Sequence, residues 1–315
     1  MKSLYLVIDP DPLQLIEQNV ATPRPGPGDL LIQIHAAGVT PTELLWYPTS
    51  HTKQGDIRSR PVPGHEFSGV IAAIGEGVNG LRSGDQVYGM NDWFADGATA
   101  EYCITASSSI APKPSNLSHV EAASVPIGAL TAWQGLIDRA QLQAGERVLV
   151  QGGAGAVGIF AVQLARSRGA HVTSTASPRN FDFVRRLGAE EVIDYTADYF
   201  ADNARRFDLV FDVVGGSTLE RSWTLLKPGG RMITIAAQSE HQTEERVKQA
   251  FFIVEPNQQQ LIEIGALLNS GRLQTVVDTV VPFSRASDAY TGKLATKRGR
   301  GKVVVQIGQT LSPAL

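Results

Sequence analysis

Two periodicities divide the chain. Up to about residue 120, apolar positions come in short runs between glycines and prolines, which is how short strands read. Residues 30–35 follow the turn-forming Pro25-Gly-Pro-Gly28, and 69–75 and 85–88 are further strands bounded by glycine. Short strands with dense Gly and Pro predict a small, irregular, barrel-like unit. Ser118-His-Val-Glu121 then has capping-box form, with Ser118 as N-cap, and opens a helical region towards Leu142 broken by Pro126 and Gly128.

From Arg147 strands and helices alternate. Strands are expected at 148–150, 171–175, 191–193, 208–214 and 231–237, and helices at 156–168, 179–187 and 218–226. Lys227-Pro-Gly-Gly230 reads as a turn before the last of these strands. Such alternation predicts an α/β fold with a doubly wound parallel sheet. Gly152-Gly153, Gly215-Gly216 and Ala236-Ala237 leave room for a ligand at the carboxyl edge of that sheet. A helix at 257–270 and short strands, including 302–306, complete the chain.

The first strand–turn–helix of the alternating part carries a recognisable spacing. Gly153, Gly155 and Gly158 fit G-x-G-x-x-G, between the apolar run 148–150 and a helical stripe of Val157, Phe160, Ala161 and Leu164. In that pattern the first glycine permits a tight turn, the second admits a pyrophosphate, and the third lets helix and strand pack closely. Gly169 closes the helix. A dinucleotide is the expected ligand. An NAD site usually places an acidic residue about 20 positions later, yet 147–181 contain no Asp or Glu. Ser177 and Arg179 instead supply the hydroxyl and guanidinium that a 2′-phosphate wants, so NADPH is expected. Ser177 equally suits the N-cap of the next helix, with Pro178 at N1, and both roles can coexist.

At 315 residues the chain has room for two domains, and its 43% hydrophobic and 19% charged content is that of a globular protein. A formal net charge of −3 offers no basic field for nucleic acid. No apolar stretch approaches the ~20 residues of a membrane span, and the N-terminus lacks a signal-peptide pattern, so a cytoplasmic location is expected. The single cysteine, Cys103, excludes an internal disulfide and reads as a small buried hydrophobe.

Pro63-Gly-His-Glu-Phe-Ser-Gly69-Val, Gly84-Asp-Gln-Val-Tyr88, Gly152-Gly-Ala-Gly-Ala-Val-Gly158, Leu187-Gly-Ala-Glu-Glu-Val-Ile-Asp-Tyr195 and Gly301-Lys-Val-Val304 follow in order. With them the chain resembles the medium-chain dehydrogenase/reductase superfamily, in its zinc-independent NADPH:quinone oxidoreductase branch. The resemblance implies a GroES-like catalytic domain (1–122), a Rossmann NADPH-binding domain (123–267) and a return to the catalytic domain (268–315). It places the active site in the cleft between them and implies a homodimer. It implies that Gly153, Ala154, Gly155, Ala156, Val157 and Gly158 bind the pyrophosphate, and that Ser177, Arg179 and Tyr195 surround the 2′-phosphate. The same resemblance implies that Phe251 and Ile253 belong to a loop whose backbone contacts the nicotinamide carboxamide. Thr131 matches a threonine near the nicotinamide ribose; a hydroxyl bonded to its own helix is the alternative reading.

The zinc enzymes of this superfamily use a Gly-His-Glu histidine together with two cysteines. Here Thr40 stands where one cysteine would be and the other is missing, so no metal is expected and His65 reads as a structural hydrogen-bonding residue. Without a Lewis acid, quinones and α,β-unsaturated carbonyls become the favoured hydride acceptors. The family's Asn-Pro-x-Asp pattern appears here as Thr40-Pro-Thr-Glu43. Tyr47 is the preferred donor to the substrate, with Thr40 beside it and Trp46 as an apolar wall; packing of both aromatics at the domain interface is the alternative. His51, His119 and His241 read as surface residues. Two other readings stand: an enoyl-thioester reductase, using Lys293, Lys297, Arg298 and Arg300 as a phosphate patch, and an NADPH-binding module without turnover.

Overall fold

The computed structural model describes residues 1–8, 14–195, 206–240, 242–294 and 299–308. His241, Lys297 and Arg298 lie outside the described residues. An antiparallel pair, β1 (Lys2–Val7) and β2 (Gln14–Asn19), opens the chain. Then come β3 (Asp29–Gly38), a short helix α1 (Tyr47–Ser50), β4 (Glu66–Ile74), β5 (Gln86–Met90), β6 (Tyr102–Ala106) and β7 (Ile110–Pro112). The Ser118–Glu121 capping box forms and starts α2 (His119–Ala122). Pro126 does not break a helix but begins one, α3 (Pro126–Trp133), as its pre-set φ suits the first turn. Gly128 lies inside α3, where a Cβ would sit 2.5 Å from the Ala156 carbonyl oxygen.

The alternating part contains β8 (Arg147–Gln151), α4 (Gly158–Ser167), β9 (His171–Ala176), α5 (Phe181–Leu187), β10 (Glu191–Asp194), β11 (Phe207–Asp212), α6 (Ser217–Ser222) and β12 (Leu226–Thr234). All pairs in this sheet are parallel, in the order β10-β9-β8-β11-β12. The order reverses between β8 and β11, and ligands of open α/β sheets bind beyond the carboxyl ends of the strands at such a point. Lys227-Pro-Gly-Gly230 is not a free turn. It bulges within β12: Phe207 pairs with Leu226 and Leu209 with Arg231, so the extra residues loop out of a strand that continues past them.

After α7 (Glu245–Ala250) and α8 (Gln258–Asn269), the chain adds β13 (Val277–Pro282), α9 (Ala286–Tyr290) and β14 (Lys302–Gln306). These last strands join the first part: the order is β13-β14-β3-β4-β5-β7, with β6 also on β3. The Gly301 N–H donates to the Ala154 carbonyl at 2.8 Å, stitching the glycine turn to the start of β14. Fully buried Leu149, Val150, Phe160 and Phe211 pack the parallel sheet, and Ile32, Phe67 and Ile110 the other. No helix among the described residues is long and apolar enough to cross a membrane.

Candidate active site

The glycine turn departs in detail from the spacing rule. Gly152, not Gly153, takes the left-handed conformation, at φ 75°. Its N–H donates to Thr175 Oγ1 at 3.0 Å, and that hydroxyl donates to Gln151 Oε1 at 2.8 Å. Gly153 is required for close approach, since a Cβ there would lie 2.1 Å from Ser174 Oγ. A Cβ on Gly158 would lie 2.2 Å from the Gly152 carbonyl oxygen. Gly155 is different: its missing side chain would meet only the Gly152 oxygen, at 3.4 Å. Ala156 and Val157 complete the turn, so the helix starts at Gly158 rather than at 156.

Beyond this turn lies a cavity of about 410 Å³, bounded by Ala154, Gly155, Ser177, Arg179 and Tyr195. Among the described residues no aspartate or glutamate lines it. Ser177 occupies the N-cap position with Pro178 following, but its hydroxyl makes no capping bond. Gly299–Gly301 lies against this region. The Arg300 guanidinium donates to Asn180 Oδ1 and to the Arg179 carbonyl, at 2.7 and 2.8 Å, and stacks over Phe183. Arg300 is therefore engaged in holding the fold rather than offered as a phosphate patch.

Val213 and Val214 are shared with a second cavity of about 290 Å³, whose walls include Thr40, Trp46, Thr131, Phe251, Ile253 and Lys302. Ala156 and Val157 reach it from the glycine turn. Thr131 donates to the Ile127 carbonyl at 2.6 Å, so its hydroxyl serves its own helix while its side chain faces the cavity. Trp46 packs edge-on against Trp93 at 4.5 Å, and Trp93 Nε1 donates to the Val254 carbonyl at 2.8 Å. Tyr47 is not brought to this cavity. It is 44% exposed and stacks on the His51 ring at 4.3 Å. Trp46 and Tyr47 are neighbours at the start of α1, and with the Trp46 ring turned inward the tyrosine is left outside.

Buried charge at the floor of the cleft was not apparent in the sequence. Lys302, 5% exposed, pairs with the fully buried Glu66 and donates to Thr40 Oγ1 at 2.7 Å. Glu66 also accepts the Ile127 N–H at 2.9 Å. Burial raises the Glu66 carboxyl above its ordinary range, and Lys302 works against that rise. A second buried pair lies beside it. His65 Nδ1 faces Glu43 Oε2 at 2.7 Å, its Nε2 faces the Ala95 carbonyl at 3.2 Å, and Glu43 Oε1 accepts the Gly64 N–H at 2.9 Å. The one local signal for Lys302 was a charge at the head of an apolar strand, within a motif quoted only for resemblance.

Two other residues are placed differently from, or as, their sequence context implied. His119 is not a free surface residue: it stacks on His35 at 4.3 Å and its Nδ1 meets Ser68 Oγ at 2.8 Å. Burial pushes its pKa down to about 4, and positive charge at His35 and Lys113 adds to the shift. Cys103 is buried, which raises its thiol to about 12 and leaves it unreactive.

Comparison with known proteins places these features in context. Residues 26–118 match a family model described as an alcohol dehydrogenase GroES-like domain, and 187–305 one described as a zinc-binding dehydrogenase. A probable zinc-binding mitochondrial oxidoreductase of Arthroderma benhamiae is 33% identical over 90% of this chain and 91% of its own length. A 2-methylene-furan-3-one reductase of Solanum lycopersicum is 35% identical over 92% of this chain and 74% of its own. An NADPH-dependent chloroplastic alkenal/one oxidoreductase of Arabidopsis thaliana is 32% identical over 92% and 75%. The solved structure of a quinone oxidoreductase from Coxiella burnetii superposes with a TM-score of 0.85 at 29% identity, covering 98% of this chain and 99% of that one.

Proposed function

The chain belongs to the medium-chain dehydrogenase/reductase superfamily and is an oxidoreductase; from that premise we propose an NADPH-dependent reductase of quinones and α,β-unsaturated carbonyl compounds. One observation carries the reading. A cavity with no acid among its described lining residues, bearing Ser177 and Arg179, shares Val213 and Val214 with a largely apolar cavity lined by the buried ammonium of Lys302. The named activities of the Arabidopsis and Solanum relatives support the same substrate class and cofactor.

The residues present fit NADPH. The open side of Gly155 leaves room for a pyrophosphate against backbone N–H groups, with Ala154, Ala156 and Val157 around it. The uncapped Ser177 hydroxyl, Arg179 and Tyr195, which line one cavity, would bind the 2′-phosphate. Thr131 and the backbone of Phe251 and Ile253, which line the other cavity, would flank the nicotinamide end. When bound, NADPH supplies the hydride. Trp46 and its apolar neighbours limit the water beside the acceptor, which strengthens the electrostatic contacts there.

The corresponding residues do not fit a zinc ion. Both ring nitrogens of His65 face protein acceptors, Thr40 is a neutral hydroxyl already bonded to Lys302, and the ammonium repels a dication. That donor set supports a metal-free reaction. The family resemblance also supports a homodimer, which size-exclusion chromatography with light scattering tests.

Absorbance of NADPH against para-benzoquinone, phenanthrenequinone, an alkenal and crotonyl-CoA, with NADH and EDTA-treated samples in parallel, tests the reading. Turnover with NADPH, little with NADH and no effect of EDTA is expected. Loss of activity with EDTA would overturn the metal-free reaction. NADPH binding without turnover on any acceptor would favour a binding module, and turnover of crotonyl-CoA alone an enoyl-thioester reductase.

A further inference from the structure

We propose that Lys302 and Thr40 form the oxyanion site of this reaction: the Lys302 ammonium, fixed by Glu66, and the hydroxyl it polarises bind the carbonyl oxygen of the acceptor. This rests on the reductase reading of the same cavity and names the groups that act there. Both residues line the cavity. An ammonium carries three protons. One goes to Thr40 Oγ1, a second faces Glu66, and the third has no partner among the described residues. Because Thr40 Oγ1 accepts from a cation, its own proton is free and made more acidic. No protein acceptor among the described residues takes it. Two donors thus converge on a space walled by Trp46, Ile127 and Phe252.

Glu66 is the positioning residue. Its carboxylate is held by the Ile127 N–H and by Lys302, and it packs against Gly38, where a Cβ would fall 2.5 Å from its side chain. A carboxylate so fixed holds the lysine in place. The ammonium thereby does electrostatic work that a Lewis acid does elsewhere, at a place that does not fit a metal.

The electrons balance as follows. The β-carbon of the acceptor takes hydride with its electron pair, as the C4–H bond of the dihydronicotinamide breaks to give NADP+. The alkene π pair moves to the bond between Cα and the carbonyl carbon, and the carbonyl π pair moves to oxygen. Lys302 and Thr40 hydrogen-bond to that enolate oxygen and keep their protons. Water supplies the proton that completes Cα.

The test reads an enolate mimic, para-nitrophenol, whose phenolate absorbs in the visible. Bound to the wild-type protein it is expected to ionise at lower pH than in free solution. Lys302→Met with Glu66→Gln, which removes the pair together, and Thr40→Val, which leaves the pair intact, are each expected to abolish or halve that shift. Thermal melts and NADPH affinity, expected to change by less than about twofold, report folding and cofactor binding separately. With an enone, the double variant is expected to lose on the order of 10²-fold in kcat. Identical titration of the probe in all three proteins, no binding of the phenolate to wild type, or full turnover by the double variant would each overturn the oxyanion site. Failure of wild type to bind NADPH would overturn the reductase reading instead, with the phenolate titration still deciding this one.

Discussion

Lys302 Nζ donates to Thr40 Oγ1 at 2.7 Å across 262 positions of chain. Sheet register sets this meeting. Val304 stands opposite Gly38 in the antiparallel pair of β14 and β3, and Val39 N–H donates to the Val303 carbonyl, so the next step along each strand brings 302 to 40. A slip of one residue would turn the ammonium to the opposite face of the sheet. The last strand thus brings a cation to a cleft built largely from elements far earlier in the chain.

Lys302→Met alone leaves Glu66 buried without its counter-charge. It should destabilise the fold by about 3–5 kcal/mol, and adding Glu66→Gln should restore most of that loss. Urea unfolding midpoints of the two variants and wild type check the claim. Equal midpoints for the single and double variants would show that the pair is not coupled.

The glycines of the turn should separate into two classes. Gly158→Ala drives a Cβ against the Gly152 carbonyl and should lower both stability and NADPH affinity. Gly155→Ala meets only a 3.4 Å contact, so it should melt near wild type yet bind NADPH at least about tenfold more weakly by crowding the pyrophosphate. Calorimetric titration beside a thermal melt resolves the two.

Arg179→Gln should weaken NADPH by about 10- to 100-fold, the worth of a charge-assisted hydrogen bond, and leave NADH affinity nearly unchanged. Fluorescence titration with each nucleotide measures the ratio. An equal loss for both would move the 2′-phosphate contact away from Arg179.

His119 makes stability depend on pH. Its folded pKa of about 4 lies below the ordinary 6.5, so on acidification the unfolded chain takes up the proton first. The contribution is complete above about pH 6.5 and is lost as the pH falls towards 4, where the folded form also takes it up. His119→Gln should therefore lose less of its melting temperature than wild type between about pH 7 and pH 4.5. Parallel losses would place the proton-sensitive group elsewhere.

Much of the fold was legible because each element repeats a local rule. The apolar run 148–150 and the stripe from Val157 to Leu164 announce strand and helix through their own spacing. The glycine spacing announced the turn but not which residue turns, since a pattern of glycines does not state φ: Gly152 does so, outside the triplet. Lys227-Pro-Gly-Gly230 has turn composition, yet its neighbours on both sides pair with β11 and carry it inside a strand. The misplaced donor, Tyr47, failed for a similar reason: of two adjacent aromatics only Trp46 faces the cleft, and adjacency does not tell which. Lys302, Glu66 and Thr40 were illegible as a group because nothing within any one segment links them; only the sheet does.

Where the hydride lands on the acceptor is read by isotope transfer. NADPH carrying deuterium at its transferable position is given to the protein with an alkenal, and the product is analysed for where the label sits. The expected product is a saturated aldehyde with one deuterium on the β-carbon and a solvent-derived hydrogen on the α-carbon. Deuterium on the carbonyl carbon, in an unsaturated alcohol, would contradict it and mark the protein as a carbonyl reductase.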